Sequence, residues 1–143
     1  MAIAISGGST SFTSTISASP SANRTVTVPD ATFTVAGSDA AQTFTASQRG
    51  TVTTDNDGSF DMNVTNNFKC TPTGSITLTF TNITAGQSGF ILLVNGSNYT
   101  VSAHANTKVA TGALAAMSAT GTYLLSYFSD GTNVFVVNSG ALA

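Results

Sequence analysis

The stretch Thr122–Asn138 constrains this chain more than any other, because two apolar arms flank a short turn signal. The arms are rich in aromatic and β-branched residues, and between them stands Asp130-Gly131, a dipeptide typical of tight β-hairpins. Neither arm alternates cleanly between apolar and polar residues, so we expect both faces of the hairpin to need cover. An isolated hairpin is marginally stable in water, so the rest of the chain must supply that cover.

The composition favours β-structure throughout the 143 residues. Serine and threonine make up about thirty per cent of the chain, well above ordinary usage, and glutamate is absent. Threonine favours strands, while the strongest helix formers are scarce. Turn signals recur at a spacing of about 8–12 residues, which is typical of a sandwich or barrel. We therefore predict an all-β chain with a single antiparallel β-sandwich, jelly-roll-like or barrel domain and an extended N-terminal arm.

The first 38 residues differ from the rest in how often turn-forming residues interrupt them. Short alternating pieces are separated by small polar residues, and Pro20 and Pro29 bracket one further short strand. Such strands suit an arm that adds to the sheet edge of a neighbour, whereas an ordinary first strand pair with frayed ends is the alternative. We predict a docking arm over residues 1–38 and a β-sandwich core over residues 39–143 that ends in the hairpin.

Two segments in the middle of the chain alternate with the period of a half-buried strand. In Ser59–Val64 the alternation puts Phe60, Met62 and Val64 on one face. In Ser75–Thr81 the inward residues are Ile76, Leu78 and Phe80, and hydroxyl side chains face outward.

A third strand is indicated by the continuous apolar run Phe90–Val94. Asn95-Gly96 ends this run, and the sequence then predicts a second hairpin that returns through Asn98–Val101. Helical turns are expected only at Ala40–Arg49 and Gly112–Met117. We expect the strands around Ile76–Phe80 and Phe90–Val94 to cover one face of the C-terminal hairpin, and a neighbouring copy to cover the other.

The low charge excludes several kinds of partner. Only 7% of the residues are charged, the net charge is −2, and the four cations are scattered along the chain. A nucleic-acid interface needs clustered basic residues, so we expect no nucleic acid partner. No apolar run approaches the length of about eighteen residues that a membrane span needs, so we expect no membrane partner. The single cysteine, Cys70, excludes an internal disulfide.

One acidic turn resembles part of a calcium-binding loop. Asp55, Asp57 and Asp61 lie close together in the sequence, and hard cations prefer several oxygen ligands. The bidentate glutamate that closes an EF-hand loop is missing. An ordinary aspartate-rich turn is the favoured interpretation, and we predict no metal and no cofactor.

No pattern in the chain predicts catalysis. His104 is the only histidine, and neither a Gly-x-Ser-x-Gly elbow nor a catalytic-cysteine signature accompanies it. The two residues His104 and Cys70 cannot form a closed zinc site. We predict that the chain has no catalytic residues and is not an enzyme.

Three segments resemble pieces of structural proteins of tailed bacteriophages. They are Pro20–Val35, Ala41–Val52, which is similar to a piece common in marine and cyanobacterial phage virion proteins, and Ile83–Gly89. The resemblance implies a virion component that is assembled in the bacterial host cytoplasm. It implies a capsid decoration (cement) protein, a head fibre or a tail-fibre module, usually trimeric.

Among these roles we expect a capsid decoration protein that stabilises the phage head as a homotrimer. Its partners would be the major capsid protein and further copies of itself. The expected contacts of the N-terminal arm are Phe12, Phe33 and Val35, and those between copies are Tyr127 and Phe135. The alternative is a tail-fibre or receptor-binding module that recognises carbohydrate on the host surface. In that case Tyr99, Tyr123 and Tyr127 would supply aromatic faces for a sugar.

Overall fold

A computed structural model describes residues 47–143 of the chain. The chain divides into two units, Met1–Thr43 and Phe44–Ala143, and the described residues all belong to the second. The predicted arm over residues 1–38, with Phe12, Phe33 and Val35, lies outside the described residues.

The described residues form nine strands and one short helix. The elements are β1 (Val52–Thr54), β2 (Ser59–Asp61), β3 (Asn67–Cys70), β4 (Ile76–Thr81), β5 (Ser88–Asn95), β6 (Val101–Ala103), β7 (Thr107–Val109), α1 (Ala113–Met117), β8 (Gly121–Ser129) and β9 (Val134–Leu142). The all-β prediction is therefore confirmed for this part of the chain. The helical turn predicted at Gly112–Met117 is also present, as α1. Of the other predicted helical segment, Ala40–Arg49, the structure describes only the last three residues, which have no regular secondary structure.

Over its first six strands the chain forms a coil, and the strands alternate between two sheets. The six-stranded sheet has the order β1-β3-β5-β8-β9-β7, and the three-stranded sheet has the order β2-β4-β6. Successive strands of the coil enter the two sheets in turn, so β1, β3 and β5 stack in parallel on one side while β2, β4 and β6 stack in parallel on the other. This arrangement is that of a short β-solenoid, in which each turn of chain packs on the previous one.

The strand directions differ from the predicted antiparallel sandwich or barrel. Five of the seven strand pairings among the described residues are parallel, and only β5 with β8 and β8 with β9 are antiparallel. Glycine and asparagine signals mark where a strand ends. They do not decide whether the next strand returns beside it or crosses to the opposite sheet, and in the coil the chain crosses.

The C-terminal hairpin is confirmed as β8 and β9, which pair in antiparallel fashion around a turn at residues 130–133. The Asp130 carboxylate accepts hydrogen bonds from the backbone N–H groups of Thr132 (2.8 Å) and Asn133 (2.7 Å). Gly131 has φ of 94°, in the left-handed region that glycine adopts without a steric penalty. These bonds hold the pKa of the Asp130 carboxyl below its usual value.

The second predicted hairpin, at Asn95-Gly96, is wrong. Strand β5 ends at Asn95, and β6 then pairs with β4 in the other sheet. The Asn95 side chain is buried at the corner, where it accepts a hydrogen bond from the Tyr99 N–H (3.0 Å) and donates to the carbonyls of Tyr99 (2.8 Å) and Met117 (3.0 Å). Because these bonds hold the chain as it leaves the sheet, Asn95 organises a crossing between sheets instead of a return.

The core lies between the two sheets and contains a chain of aromatic rings. Phe60 packs against Phe68 (5.1 Å between ring centroids) and Phe80 (5.5 Å), and Phe80 packs against Tyr127 (5.2 Å). The last contact confirms that β4 covers one face of the C-terminal hairpin. The run Phe90–Val94 does not cover it, because β5 is a neighbour of β8 within the same sheet.

The predicted inward residues of β4 are confirmed, since Ile76, Leu78 and Phe80 are all buried. For the segment after β2 the prediction is partly wrong. Phe60 and Met62 are buried, but Val64 is 60% exposed. The strand ends at Asp61, and the Val64 N–H donates to the Asp61 carbonyl in a turn, so the alternation stops before Val64.

Candidate interaction surface

The outer face of the six-stranded sheet is apolar and open. We define this outer face by the side chains of that sheet that point away from the core. Seven of them are large apolar residues that are 40–61% exposed: Val52, Phe90, Leu124, Phe128, Phe135, Val137 and Leu142. Strands β5, β8 and β9 supply all of these except Val52, because the apolar runs of these strands continue across both faces. A contiguous patch of this kind is typical of an interaction site.

The outer face of the three-stranded sheet has the opposite character. There the residues that point outward are mostly hydroxyl side chains, including Thr77, Thr81 and Ser102. The hydroxyls of Thr77 and Ser102 are 2.8 Å apart across β4 and β6 and form a hydrogen bond. The six-stranded sheet instead carries large exposed apolar residues on its outer face. The difference between the two faces makes the apolar face the candidate interaction surface.

A groove crosses one side of the outer face. It has a volume of about 380 Å³, and its lining includes Val52, Asn67, Lys69, Phe90, Leu92 and Leu124. The residues come from β1, β3, β5 and β8, and the strand register places them side by side, with Asn67 opposite Phe90 and Leu92 opposite Leu124. A smaller hollow of about 180 Å³ continues from Phe90 and Leu124 toward Val137 on β9.

Two exposed phenylalanines lie on the other side of the outer face. Phe128 on β8 and Phe135 on β9 are directly opposite each other in the antiparallel register, and they are 52% and 45% exposed. Phe135 is also the partner of Lys108 on β7. Directly opposed side chains on neighbouring strands lie within contact distance of each other. We call these two exposed residues the aromatic pair.

Two lysines are the charged side chains within the strands of this sheet. Lys69 lines the groove, and Lys108 is the register partner of Phe135. None of the six strands of this sheet contains an aspartate within its bounds. Ammonium groups near aromatic rings attract them through cation–π interactions.

The structure separates the two residues that the sequence predicts as contacts between copies. Phe135 lies on the outer face. Tyr127 does not, because its ring is in the core and its hydroxyl donates a hydrogen bond to the Asn66 carbonyl (2.9 Å). Burial raises the pKa of Tyr127 to about 12. We therefore assign Tyr127 to the core and not to the surface. The outer face also contains Phe90, Leu124, Phe128 and Val137. They are not among the predicted contacts, although the lack of clean alternation in their strands is the signal for them.

The acidic turn is held by its own hydrogen bonds. Asp57 accepts a hydrogen bond from the Ser59 N–H (2.8 Å), and Asp61 accepts from the Asn63 N–H (2.9 Å) and the Asn82 amide (2.7 Å). Burial and the neighbouring Asp57 raise the pKa of Asp55, whereas the hydrogen bond from the Asp55 side chain lowers the pKa of Asp57. Within residues 47–143, no cluster of three or more histidine, cysteine or acidic side chains could hold a metal ion.

His104 and Cys70 are not brought together. The exposed His104 has its Nδ1 2.7 Å from the amide oxygen of Asn106, whereas Cys70 is fully buried in the core. Burial, and to a lesser extent the charges of Asp55 and Asp57, raise the pKa of Cys70 to about 12. A thiol in this state is a core residue and a poor nucleophile.

The Cys70 thiol is expected to resist modification in the folded protein. At pH 8 we expect a thiol reagent such as DTNB to react with it only through unfolding, so the rate should be at least 100-fold lower than in 8 M urea, where the thiol has an ordinary pKa of about 8.5. Burial keeps the thiol protonated in the folded state. Its contribution to the free energy of unfolding is therefore complete below the ordinary pKa and is lost as the pH rises toward 12. Equal labelling rates with and without urea would contradict the buried position.

The three tyrosines proposed for carbohydrate binding do not form one exposed site. Tyr123 is buried and its hydroxyl donates to the carbonyls of Ala116 (2.7 Å) and Ala119 (3.0 Å). Tyr127 is buried as described above, and Tyr99 is half-buried.

No helix among residues 47–143 is long and apolar enough to cross a membrane. No family model matches the chain, and neither the curated proteins nor the solved structures contain a significant match to it.

Proposed function

We propose that this chain is a structural protein of a tailed-phage virion that decorates the capsid as a homotrimer. The observation that carries the proposal is the open apolar outer face of the six-stranded sheet, which has a polar counterpart on the other sheet. A protein that acts alone in water gains nothing from such a face, whereas a protein that is covered by neighbours gains stability from it. The resemblance of three segments to virion structural proteins supports the same role.

The proposed mechanism is passive. A decoration protein that binds only the assembled shell shifts the equilibrium toward that shell. At a free concentration of 100 times its dissociation constant, each bound copy would contribute about 2.7 kcal/mol. The low charge of the chain, with four cations and six acidic residues, suits binding through apolar and backbone contacts. In this role the segment over residues 1–38 binds the major capsid protein, and the β-domain joins the copies.

Binding to heads tests this function. We expect the purified protein to co-sediment with phage heads that lack their decoration protein, and electron microscopy to place it as trimers on the capsid lattice. Deletion of residues 1–35 should abolish this binding, while the circular dichroism of the remaining β-domain stays unchanged. A protein found only on the tail would contradict decoration and favour the receptor-binding alternative. Unimpaired binding by the truncated protein would contradict the role of the arm.

A further inference from the structure

We propose that the Asn95-Gly96 pair is a site of spontaneous deamidation that the folded state protects, so that conversion of Asn95 in an unfolded chain prevents that chain from refolding. This inference goes beyond the proposed function and does not depend on it. Asn95-Gly96 is the only asparagine–glycine pair in the 143 residues.

The reaction needs only the two residues and water. The backbone nitrogen of Gly96 attacks the side-chain carbonyl carbon, Cγ, of Asn95. A bond forms between these two atoms, the Cγ–Nδ2 bond breaks, and the proton of the Gly96 N–H leaves with Nδ2 as ammonia. The resulting succinimide ring takes up a water molecule and opens to aspartate or isoaspartate. A glycine in the second position favours this attack, because it has no Cβ atom beside the nitrogen.

The fold does not require a glycine at position 96. No atom lies within 4 Å of the position that a Cβ atom would take there, and the φ of Gly96 is outside the left-handed region. Gly96 is also exposed. An alanine would therefore fit the structure, while its Cβ atom would hinder the attacking nitrogen. The reactivity of the pair can thus be removed without disturbing the fold.

The folded state holds the Asn95 side chain away from this reaction. Asn95 is 1% exposed, its Oδ1 accepts from the Tyr99 N–H (3.0 Å), and its Nδ2 donates to the carbonyls of Tyr99 (2.8 Å) and Met117 (3.0 Å). Asn95 is also the last residue of β5, where it pairs with Gly121 of β8. Closure of the ring requires the Gly96 nitrogen to turn toward the side chain, out of the extended conformation of a strand. The hydrogen bonds and the strand pairing would have to break first.

Neither product can replace the buried amide. An ionised aspartate accepts hydrogen bonds but donates none. Its oxygens would therefore face the carbonyl oxygens of Tyr99 and Met117, to which Nδ2 now donates. The corner between the sheets would then contain a buried charge and two carbonyls that have lost this donor. Isoaspartate lengthens the main chain by a methylene group at the same corner. An unfolded chain that has been converted therefore cannot regain the native corner, and its unfolding becomes irreversible.

Peptide mapping by mass spectrometry, which detects aspartate and isoaspartate, tests the protection. The full-length protein is incubated at mildly alkaline pH with and without guanidinium chloride, and a reducing agent keeps Cys70 as the free thiol. We expect conversion of Asn95 to be at least about 100-fold slower in the folded protein, because the reaction then depends on rare opening of the corner. Val64→Gly is the matched control, since it creates an asparagine–glycine pair at positions 63 and 64 in an exposed turn. In this variant Asn63 should react within about 10-fold of its rate in denaturant.

Refolding tests the consequence. After incubation in denaturant and dilution, we expect the wild type to lose its native circular dichroism in proportion to the conversion of Asn95. Gly96→Ala should fold like the wild type but should convert at least about 10-fold more slowly in denaturant, so it should keep its ability to refold. Asn95→Asp contains one product from the start. It should unfold at a lower urea concentration than the wild type or fail to fold.

The proposal would be overturned by equal conversion of Asn95 in the folded and the denatured protein. It would also be overturned by a Gly96→Ala protein that loses its ability to refold as fast as the wild type, or by an Asn95→Asp protein that resists urea as well as the wild type does.

Discussion

Replacing Gly89 by alanine is expected to destabilise the fold by about 4 kcal/mol, the largest effect expected for a methyl group added at any glycine of residues 47–143. A Cβ atom at Gly89 would overlap the carbonyl oxygen of Asn66 and would come within 2.7 Å of both the Asn66 carbonyl carbon and the Tyr127 hydroxyl. Backbone atoms cannot move aside as the end of a flexible side chain can. Strand β5 would therefore have to separate from the chain that leads into β3.

The separation would also cost hydrogen bonds. The Asn66 carbonyl accepts from the Phe90 N–H (3.0 Å) and from the Tyr127 hydroxyl (2.9 Å), and both partners flank the position of the new methyl group. Urea denaturation followed by circular dichroism measures the free energy of unfolding. Gly74→Ala is the matched control, because no atom lies within 4 Å of its Cβ position. That variant should change stability by no more than about 0.5 kcal/mol, with a gain as possible as a loss. A Gly89→Ala protein as stable as the control would show that the two strands do not approach closely here.

Asn95→Ala is expected to lower the free energy of unfolding by about 3 kcal/mol. The side chain is 1% exposed, and its amide holds the backbone of Tyr99 and the carbonyl of Met117. Alanine would leave these backbone groups without their partners in a place that water does not reach. A buried backbone group without a partner lowers the free energy of unfolding by more than its hydrogen bond contributed. The reason is that the group has lost its hydration and has gained no partner in exchange.

The same urea denaturation measures this effect, and Asn63→Ala is its control. Asn63 is exposed and only its backbone N–H takes part in a turn, through the Asp61 carboxylate. We expect a change within about 0.5 kcal/mol for that variant. If Asn95→Ala and Asn63→Ala were equally stable, the corner between the sheets would not depend on the buried amide.

Several local features of the fold could be predicted because they depend on neighbouring residues alone. Asp130-Gly131 specifies its turn through a carboxylate that caps two N–H groups and a glycine with positive φ. The alternation of Ile76, Leu78 and Phe80 specifies which side of β4 is buried, because side chains in a strand point to opposite faces in turn. The excess of threonine specifies strands in general.

The direction of strand pairing could not be predicted in this way. Val52 pairs with Asn67 and Asn67 pairs with Phe90, so successive turns of the coil contain 15 and 23 residues. Unequal turns leave no repeat in the sequence, and repeats are the usual sign of a solenoid. The signal at Asn95-Gly96 is the same for a hairpin and for a crossing, and only the buried partners of the Asn95 amide distinguish the two.

The C-terminal hairpin separates the two kinds of information most clearly. The sequence by itself determined that Thr122–Asn138 folds back on itself and that both of its faces are apolar, because turn chemistry and side-chain alternation are local properties. Only the tertiary structure decided which face the core covers. Packing of β4 against the hairpin buries Tyr127, and the same packing leaves Phe128 and Phe135 on the open side. That choice depends on contacts between residues far apart in the chain, which no local pattern records.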